Sequence, residues 1–205
     1  MESINYVQNL AKEQIKKSAE CAYNALNEND IFPVPIDRIL EMRLGYRIIP
    51  ILRLKMDLGI DSFITKDKEL YIDENTYMAA NSQRYRFSLA HELGHIFLHG
   101  KLFENISCLA DFISFYKTIS GYILDTIEMQ ANSFASFFLC PYNRISTAIQ
   151  EFIIKPFNNY GIKEVSLSDI EEIAYTYQIA KIAEYFAVSN QAMSIRMIKY
   201  FRDKL

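Results

Sequence analysis

Arg86-Phe87-Ser88-Leu89-Ala90-His91-Glu92-Leu93-Gly94-His95-Ile96-Phe97-Leu98-His99 is the stretch whose reading decides the fold. Leu89, Leu93, Ile96 and Phe97 recur at i, i+4, i+7 and i+8, the apolar stripe of an α-helix. Phe87, Ala90 and Leu98 put apolar surface on its other faces, so the helix should be central and buried. The pattern predicts one helix from about Ser82 to Leu98, closed by Gly100.

Within it lies His91-Glu92-Leu93-Gly94-His95, an H-E-x-x-H motif. Spacing i, i+4 stacks both imidazoles on one face, where they can bind one ion without bending the backbone. Glu92 projects about 100° away around the helix, as suits a general base that reaches a water beside the ion. Gly94 in mid-helix costs about 1 kcal/mol relative to Ala. A close-packed metal site accounts for that cost, and a plain core helix does not. His99 lies on the same face, about 12 Å along the axis from His91, too far to share one ion with both others. It is read as a core, second-sphere or helix-end residue.

No further histidine exists, so a third ligand should be a carboxylate downstream. Glu104, Asp111, Asp125 and Glu128 are the candidates. Glu128 is favoured because Ala131 and Ala135 follow at i+3 and i+7 and give a small-residue face on which two helices can approach closely. Spacing alone leaves this open, because a first-turn Glu can simply answer the helix dipole.

Working outward, the chain has 205 residues, half of them apolar and 23% charged, with a net charge of -3. That balance excludes a disordered chain and a nucleic-acid binder driven by bulk charge. With no run of about 18 apolar residues, no transmembrane helix is expected, and the start lacks the pattern of a signal peptide. The three cysteines are widely spaced without C-x-x-C and are read as reduced core thiols of a cytoplasmic protein.

Residues 6–28 have helical spacing, and a short helix should run from about Ile36 to Leu44 with Gly45 as terminator. Tyr46-Arg47-Ile48-Ile49 reads as a strand. Ser62-Phe63-Ile64-Thr65 and Leu70-Tyr71-Ile72 flank a polar turn and read as a hairpin, giving a small antiparallel sheet. The hairpin strand near 69–73 is a candidate free edge for an extended substrate. Region 101–124 has no clear pattern. A buried helix should cover 126–139, stopped by Pro141, and another 143–154. Beyond Gly161 a helical pair is expected: a capping box at Ser168-Asp169-Ile170-Glu171 opens the first helix, and Ser189 caps the second, with Val188 and Met193 as a hydrophobic staple. The stretch from Ile182 through Arg196 looks like a helix-turn-helix, but the net charges of residues 162–189 and 190–205 cancel, so DNA binding is weakly supported.

The Arg86–His99 stretch, together with Glu128-Met129-Gln130-Ala131-Asn132-Ser133-Phe134-Ala135 running to Leu139-Cys140-Pro141, resembles the signature of the ImmA/IrrE family of metallopeptidases. Where the family often shows Leu-Leu-Met-Pro, this chain has Phe138-Leu139-Cys140-Pro141. The resemblance covers roughly residues 10–145. It implies a mostly helical α+β fold with a zincin-like core, zinc held by His91, His95 and Glu128, and Glu92 as catalytic base. Manganese and iron(II) also suit such a donor set. The chain is expected to divide into residues 1–155, a zincin-like metallopeptidase domain, and 162–205, a C-terminal helical region packed on it. Family members are cytoplasmic endopeptidases that cleave helix-turn-helix repressors of phage, mobile-element or stress genes, so a protein substrate of that kind is expected, and no membrane. The alternative is a non-catalytic regulator that binds a repressor or DNA, with a structural or sensory metal. Intact Glu92 argues against it, since a structural site has no use for an acid beside its ligands. The sequence does not identify a second oxyanion donor, for which Tyr116, Tyr122 and Arg84 are candidates.

Overall fold

The computed structural model describes residues 9–79, 82–160 and 165–204. The expected helix start at Tyr6, the break at Gly161, and the charged residues Lys163 and Glu164 lie outside them. The chain divides into two compact units, residues 1–138 and residues 139–205, and the mostly helical α+β class holds.

In the first unit, α1 (Lys12–Leu26) buries Ile15, Ala19, Ala22 and Tyr23, one face at helical spacing, and packs on the H-E-x-x-H helix. A short helix, α2 (Ile36–Arg38), continues as a π-turn over Ile39–Arg43 and buries Ile36, Ile39 and Leu40. Gly45 then takes φ +74°, the left-handed conformation that lets the chain turn into the sheet. Strand β1 (Arg47–Ile51) leads through α3 (Leu54–Leu58) to β2 (Ser62–Ile64), and a tight turn with Lys68 at φ 58° leads to β3 (Glu69–Asp73).

The sheet order is β1-β3-β2. The hairpin is antiparallel as expected, with Phe63 opposite Tyr71, but β1 lies parallel to β3, with Ile49 opposite Tyr71. The sheet is therefore mixed, not antiparallel throughout. The segment containing α3 and β2 acts as a crossover, which two parallel neighbours require. This also corrects the free-edge expectation: β3 is the central strand, flanked on both sides, and the edges are β1 and β2.

Asp73 caps α4 (Glu74–Met78) by accepting from the backbone N–H groups of Asn75 and Thr76. Ser82 caps α5 (Gln83–His99) by accepting from the Tyr85 N–H. This helix matches the sequence expectation closely. Leu89, Ala90, Leu93, Gly94 and His95 are all buried, although Phe97 reaches the surface. Gly100 does not end the helix in a left-handed cap; it tightens into a 3₁₀ turn, Gly100–Leu102. The unassigned region contains α6 (Leu109–Thr118), and α7 (Gly121–Leu139) begins five residues before the predicted start at 126.

In the second unit, α8 (Tyr142–Ile149) runs through a π segment, Gln150–Ile154, into α9 (Lys155–Asn159). The next cap is Ser166, not Ser168: Ser166 Oγ accepts from the Asp169 N–H, and the Asp169 carboxylate accepts in return from the Ser166 N–H. From there α10 (Leu167–Ile173) continues by a π segment into α11 (Ile179–Phe186). Ala187 at φ 51° ends it, and Ser189 caps α12 (Asn190–Arg202) as expected. Val188 and Met193 are buried, as a staple requires, beside Met197, Tyr200 and Phe201. Arg196 is also buried on α12. Its Nε–H donates to the Cys140 carbonyl at 2.9 Å and its guanidinium covers the Tyr142 ring at 4.2 Å.

Cys140 alone of the three thiols is a core residue; Cys21 and Cys108 are exposed, because each falls on the solvent side of its local element. Among the described residues no helix is long and apolar enough to cross a membrane.

Candidate metal centre

Helix α5 supplies two imidazoles and α7 a carboxylate, and the two helices meet where their side chains are smallest. A Cβ added to Gly94 would lie 3.0 Å from the Cα and the carbonyl oxygen of Ala131 and 3.3 Å from Phe134 Cβ. Only glycine permits this approach, which accounts for the unfavourable mid-helix residue. Glu128 stands one turn before Ala131 on α7 and so is held over the α5 face that carries His91 and His95.

His91 Nε2 and His95 Nε2 are 2.9 Å apart. Glu128 Oε2 is 3.2 Å from His91 Nε2, and Glu128 Oε1 is 3.5 Å from His95 Nε2. Ligands about 2.0–2.1 Å from a tetrahedral zinc lie about 3.3–3.4 Å from one another. The triangle of the two nitrogens and the carboxylate group is near that size, with a different Glu128 oxygen facing each ring, and the three residues could hold a metal ion. Glu104, Asp111 and Asp125 do not join them; Asp111 instead accepts from the Ser107 N–H at 3.0 Å.

The hydrogen bonds behind the imidazoles fix which nitrogen faces the centre. Asn132 Oδ1 lies 3.0 Å from His91 Nδ1, and a carbonyl oxygen can only accept, so Nδ1 carries a proton and, in the neutral ring, Nε2 has the lone pair. Behind His95 the relay is longer. Gln130 Oε1 accepts from His99 Nε2 at 2.8 Å, which leaves His99 Nδ1 as acceptor for His95 Nδ1–H at 3.1 Å. His95 Nε2 thus also presents a lone pair. His99 thus stands behind His95 and outside the His91–His95–Glu128 cluster, in the position of the partners that commonly orient metal-binding histidines. Its buried position and that of Gln130 agree with this.

Glu92 is 2% exposed and accepts from Ser62 Oγ–H at 2.7 Å. Burial pushes its carboxyl up to about 7, against the opposing pull of His91 and Ser62. Burial acts on His91 in the opposite sense, but the Glu128 hydrogen bond and the charges of Glu92 and Glu128 carry it up to about 9. His95, more deeply enclosed, is driven down to about 4 by burial. Burial would raise the Glu128 carboxyl, yet its two histidine partners hold it well below the usual carboxylate range. Glu128 is thus held ionised and His95 neutral, as a cation site needs, while His91, which the same carboxylates draw toward its protonated form, would give up its Nε2 proton to a bound ion.

A cavity of about 290 Å³ opens on Glu92, His91, His95 and Glu128. Of the three oxyanion candidates, Tyr116 lines it. Tyr122 is 74% exposed elsewhere on α7, and Arg84 is paired with Asp61 at 2.6 Å. Asn132, Gln130 and Ser62 escaped the sequence reading. Gln130 and Asn132 did leave a trace, two amides flanking Ala131 on the helix that carries Glu128. Ser62, thirty residues before Glu92, left none.

The arrangement is one that could hold a metal ion on a helix, with an acid beside it and a cavity in front. Residues 42–197 match the IrrE N-terminal-like domain, a peptidase family, and the chain belongs to that family. It thus has a metallopeptidase-like domain. No curated protein matches the chain. Among solved structures, a Mycobacterium tuberculosis transcriptional regulator is similar at 15% identity and a TM-score of 0.48 over 93% of this chain. The chain spans about half the length of that protein, 46% of it.

Proposed function

We propose that this protein is a zinc-dependent endopeptidase in which His91, His95 and Glu128 hold the ion and Glu92 is the catalytic base. The observation that carries the reading is the ligand-sized triangle of His91 Nε2, His95 Nε2 and the Glu128 carboxylate, with Glu92 beside it in the same cavity. A divalent ion held by these three residues would supply a Lewis acid able to polarise a peptide carbonyl and make water a stronger acid. Glu92 takes the proton from the attacking water and passes it to the departing amine. Ser62 fixes the Glu92 carboxylate by its hydrogen bond. Strand β2, which carries Ser62 and Phe63 along the cavity wall, is a sheet edge, so an extended peptide can add to it by backbone pairing and pass the base.

The substrate class follows from the family resemblance: a helix-turn-helix transcriptional repressor, cleaved in the cytoplasm. The test is Glu92→Gln. It should bind zinc with the stoichiometry of the native chain and leave the repressor encoded nearby intact, while the native protein cuts it only when zinc-loaded. Full cleavage by Glu92→Gln removes the base assignment, and cleavage in excess chelator removes the metal from the reaction.

A further inference from the structure

The triad and Glu92 occupy only one side of the cavity. Beside them the wall carries a cluster of aromatic rings, together with the polar side chains of Asp61, Ser88 and Asn132. Helix α6 turns Phe112, Phe115 and Tyr116 toward it at i, i+3 and i+4, the spacing that puts side chains on one face. Phe112 stacks on Phe63 of β2 with ring centroids 4.6 Å apart, and Phe115 lies 5.6 Å from Phe103. Phe103 in turn lies 5.1 Å from the His95 ring. The aromatic wall therefore begins against a metal ligand. Phe63, Phe103 and Phe112 are buried and form a floor, whereas Tyr116 is 40% exposed and Phe115 and Leu124 are half-buried, which makes them the rim.

The charged groups of the wall are already engaged. Asp61 pairs with Lys55 and Arg84, Glu92 accepts from Ser62, and Glu128 faces the two imidazoles. A charged side chain entering here would lose water and meet carboxylates that already have partners. An apolar one would gain burial against rings. The volume, about 290 Å³, is at the lower limit of small-molecule pockets and takes one large side chain with its flanking backbone.

We propose that this aromatic-walled half is a side-chain subsite that selects a large apolar residue, aromatic above all, directly beside the cleaved bond. The assignment rests on the peptidase reading, and the experiment separates the two. The zinc-loaded full-length protein is titrated calorimetrically with the hydroxamates of phenylalanine, glycine and aspartate, whose hydroxamate group seeks the ion and whose side chains probe the wall. The phenylalanine hydroxamate should bind at least about tenfold more tightly than that of glycine, the ratio expected when a benzyl group leaves water. The aspartate hydroxamate should bind no better than that of glycine. Phe115→Ala and Leu124→Ala, both at the rim, should bring the phenylalanine-to-glycine ratio below about threefold without changing glycine hydroxamate affinity, and Tyr122→Ala should leave the ratio as in the native chain. Equal affinity for the three probes, or no binding of any, overturns the subsite. In parallel, cut sites are mapped by mass spectrometry on a mixture of unfolded proteins, where Phe, Tyr, Leu or Met should dominate one fixed position next to the cut. Cleavage without that enrichment overturns the subsite and leaves the peptidase reading standing. Selective hydroxamate binding without any cleavage upholds the subsite and removes the peptidase reading.

Discussion

Gly94→Ala tests whether the spacing between α5 and α7 sets the metal site. The new methyl would sit 3.0 Å from the Ala131 backbone and 3.3 Å from Phe134 Cβ, whereas carbon atoms are at ease about 3.5–4.0 Å apart. The helices must therefore part by about 0.5 Å at Ala131. Overpacking of this kind costs about 1–3 kcal/mol, while replacing a mid-helix glycine returns about 1 kcal/mol. The folded chain should thus lose only about 0–2 kcal/mol. Glu128, one turn away, moves with α7. Its oxygens stand 3.2 and 3.5 Å from the imidazole nitrogens, and a shift of about 0.5 Å reaches the tolerance of a functional site. Zinc affinity should consequently fall by about 10- to 100-fold, comparable to loss of an outer-sphere partner, out of proportion to the stability change. Competition against a chromophoric chelator measures the first quantity and thermal unfolding of the metal-free protein the second. Native zinc affinity in a variant of lowered Tm would mean that the helix spacing does not position Glu128. Native affinity with unchanged Tm would mean that the close approach itself is wrong.

Two further outcomes follow from the same geometry. His99→Ala takes away the acceptor of His95 Nδ1–H and should weaken zinc binding by about 10- to 100-fold while shifting the visible spectrum of the cobalt-substituted protein; native values of both would deny His99 an orienting role. Zinc at a hundred times its dissociation constant should stabilise the fold by about 2.7 kcal/mol, since the unfolded chain does not assemble the triangle; an unchanged Tm on adding zinc, or on removing it with chelator, would show that nothing is bound at these residues.

The H-E-x-x-H helix was legible because its signals are local. Apolar period, Ser82 as cap and paired histidines all sit within one element, and α5 matches to within a residue or two. The α12 cap and staple were legible for the same reason. Glu128 could be favoured because Ala131 and Ala135 mark a close helix contact, although only the fold brings it to the histidines. What escaped depends on chain-distant partners. The parallel pairing of β1 with β3 leaves no mark on either strand. Helix α6 carries Leu109, Phe112, Ile113 and Tyr116 at helical spacing, but it is only 10 residues long and no side chain caps its start, so no local signal marks its bounds. The roles of Ser62 and Gln130 exist only across elements.

The most direct test of the metal centre is zinc stoichiometry combined with X-ray absorption on the native chain and on Glu128→Ala. One zinc per native chain is expected, with two imidazole nitrogens at about 2.0–2.1 Å and oxygen in the remaining positions, and Glu128→Ala should lose most of the metal. A sulfur scatterer around the zinc, or the same zinc content and coordination after Glu128→Ala, would contradict the site.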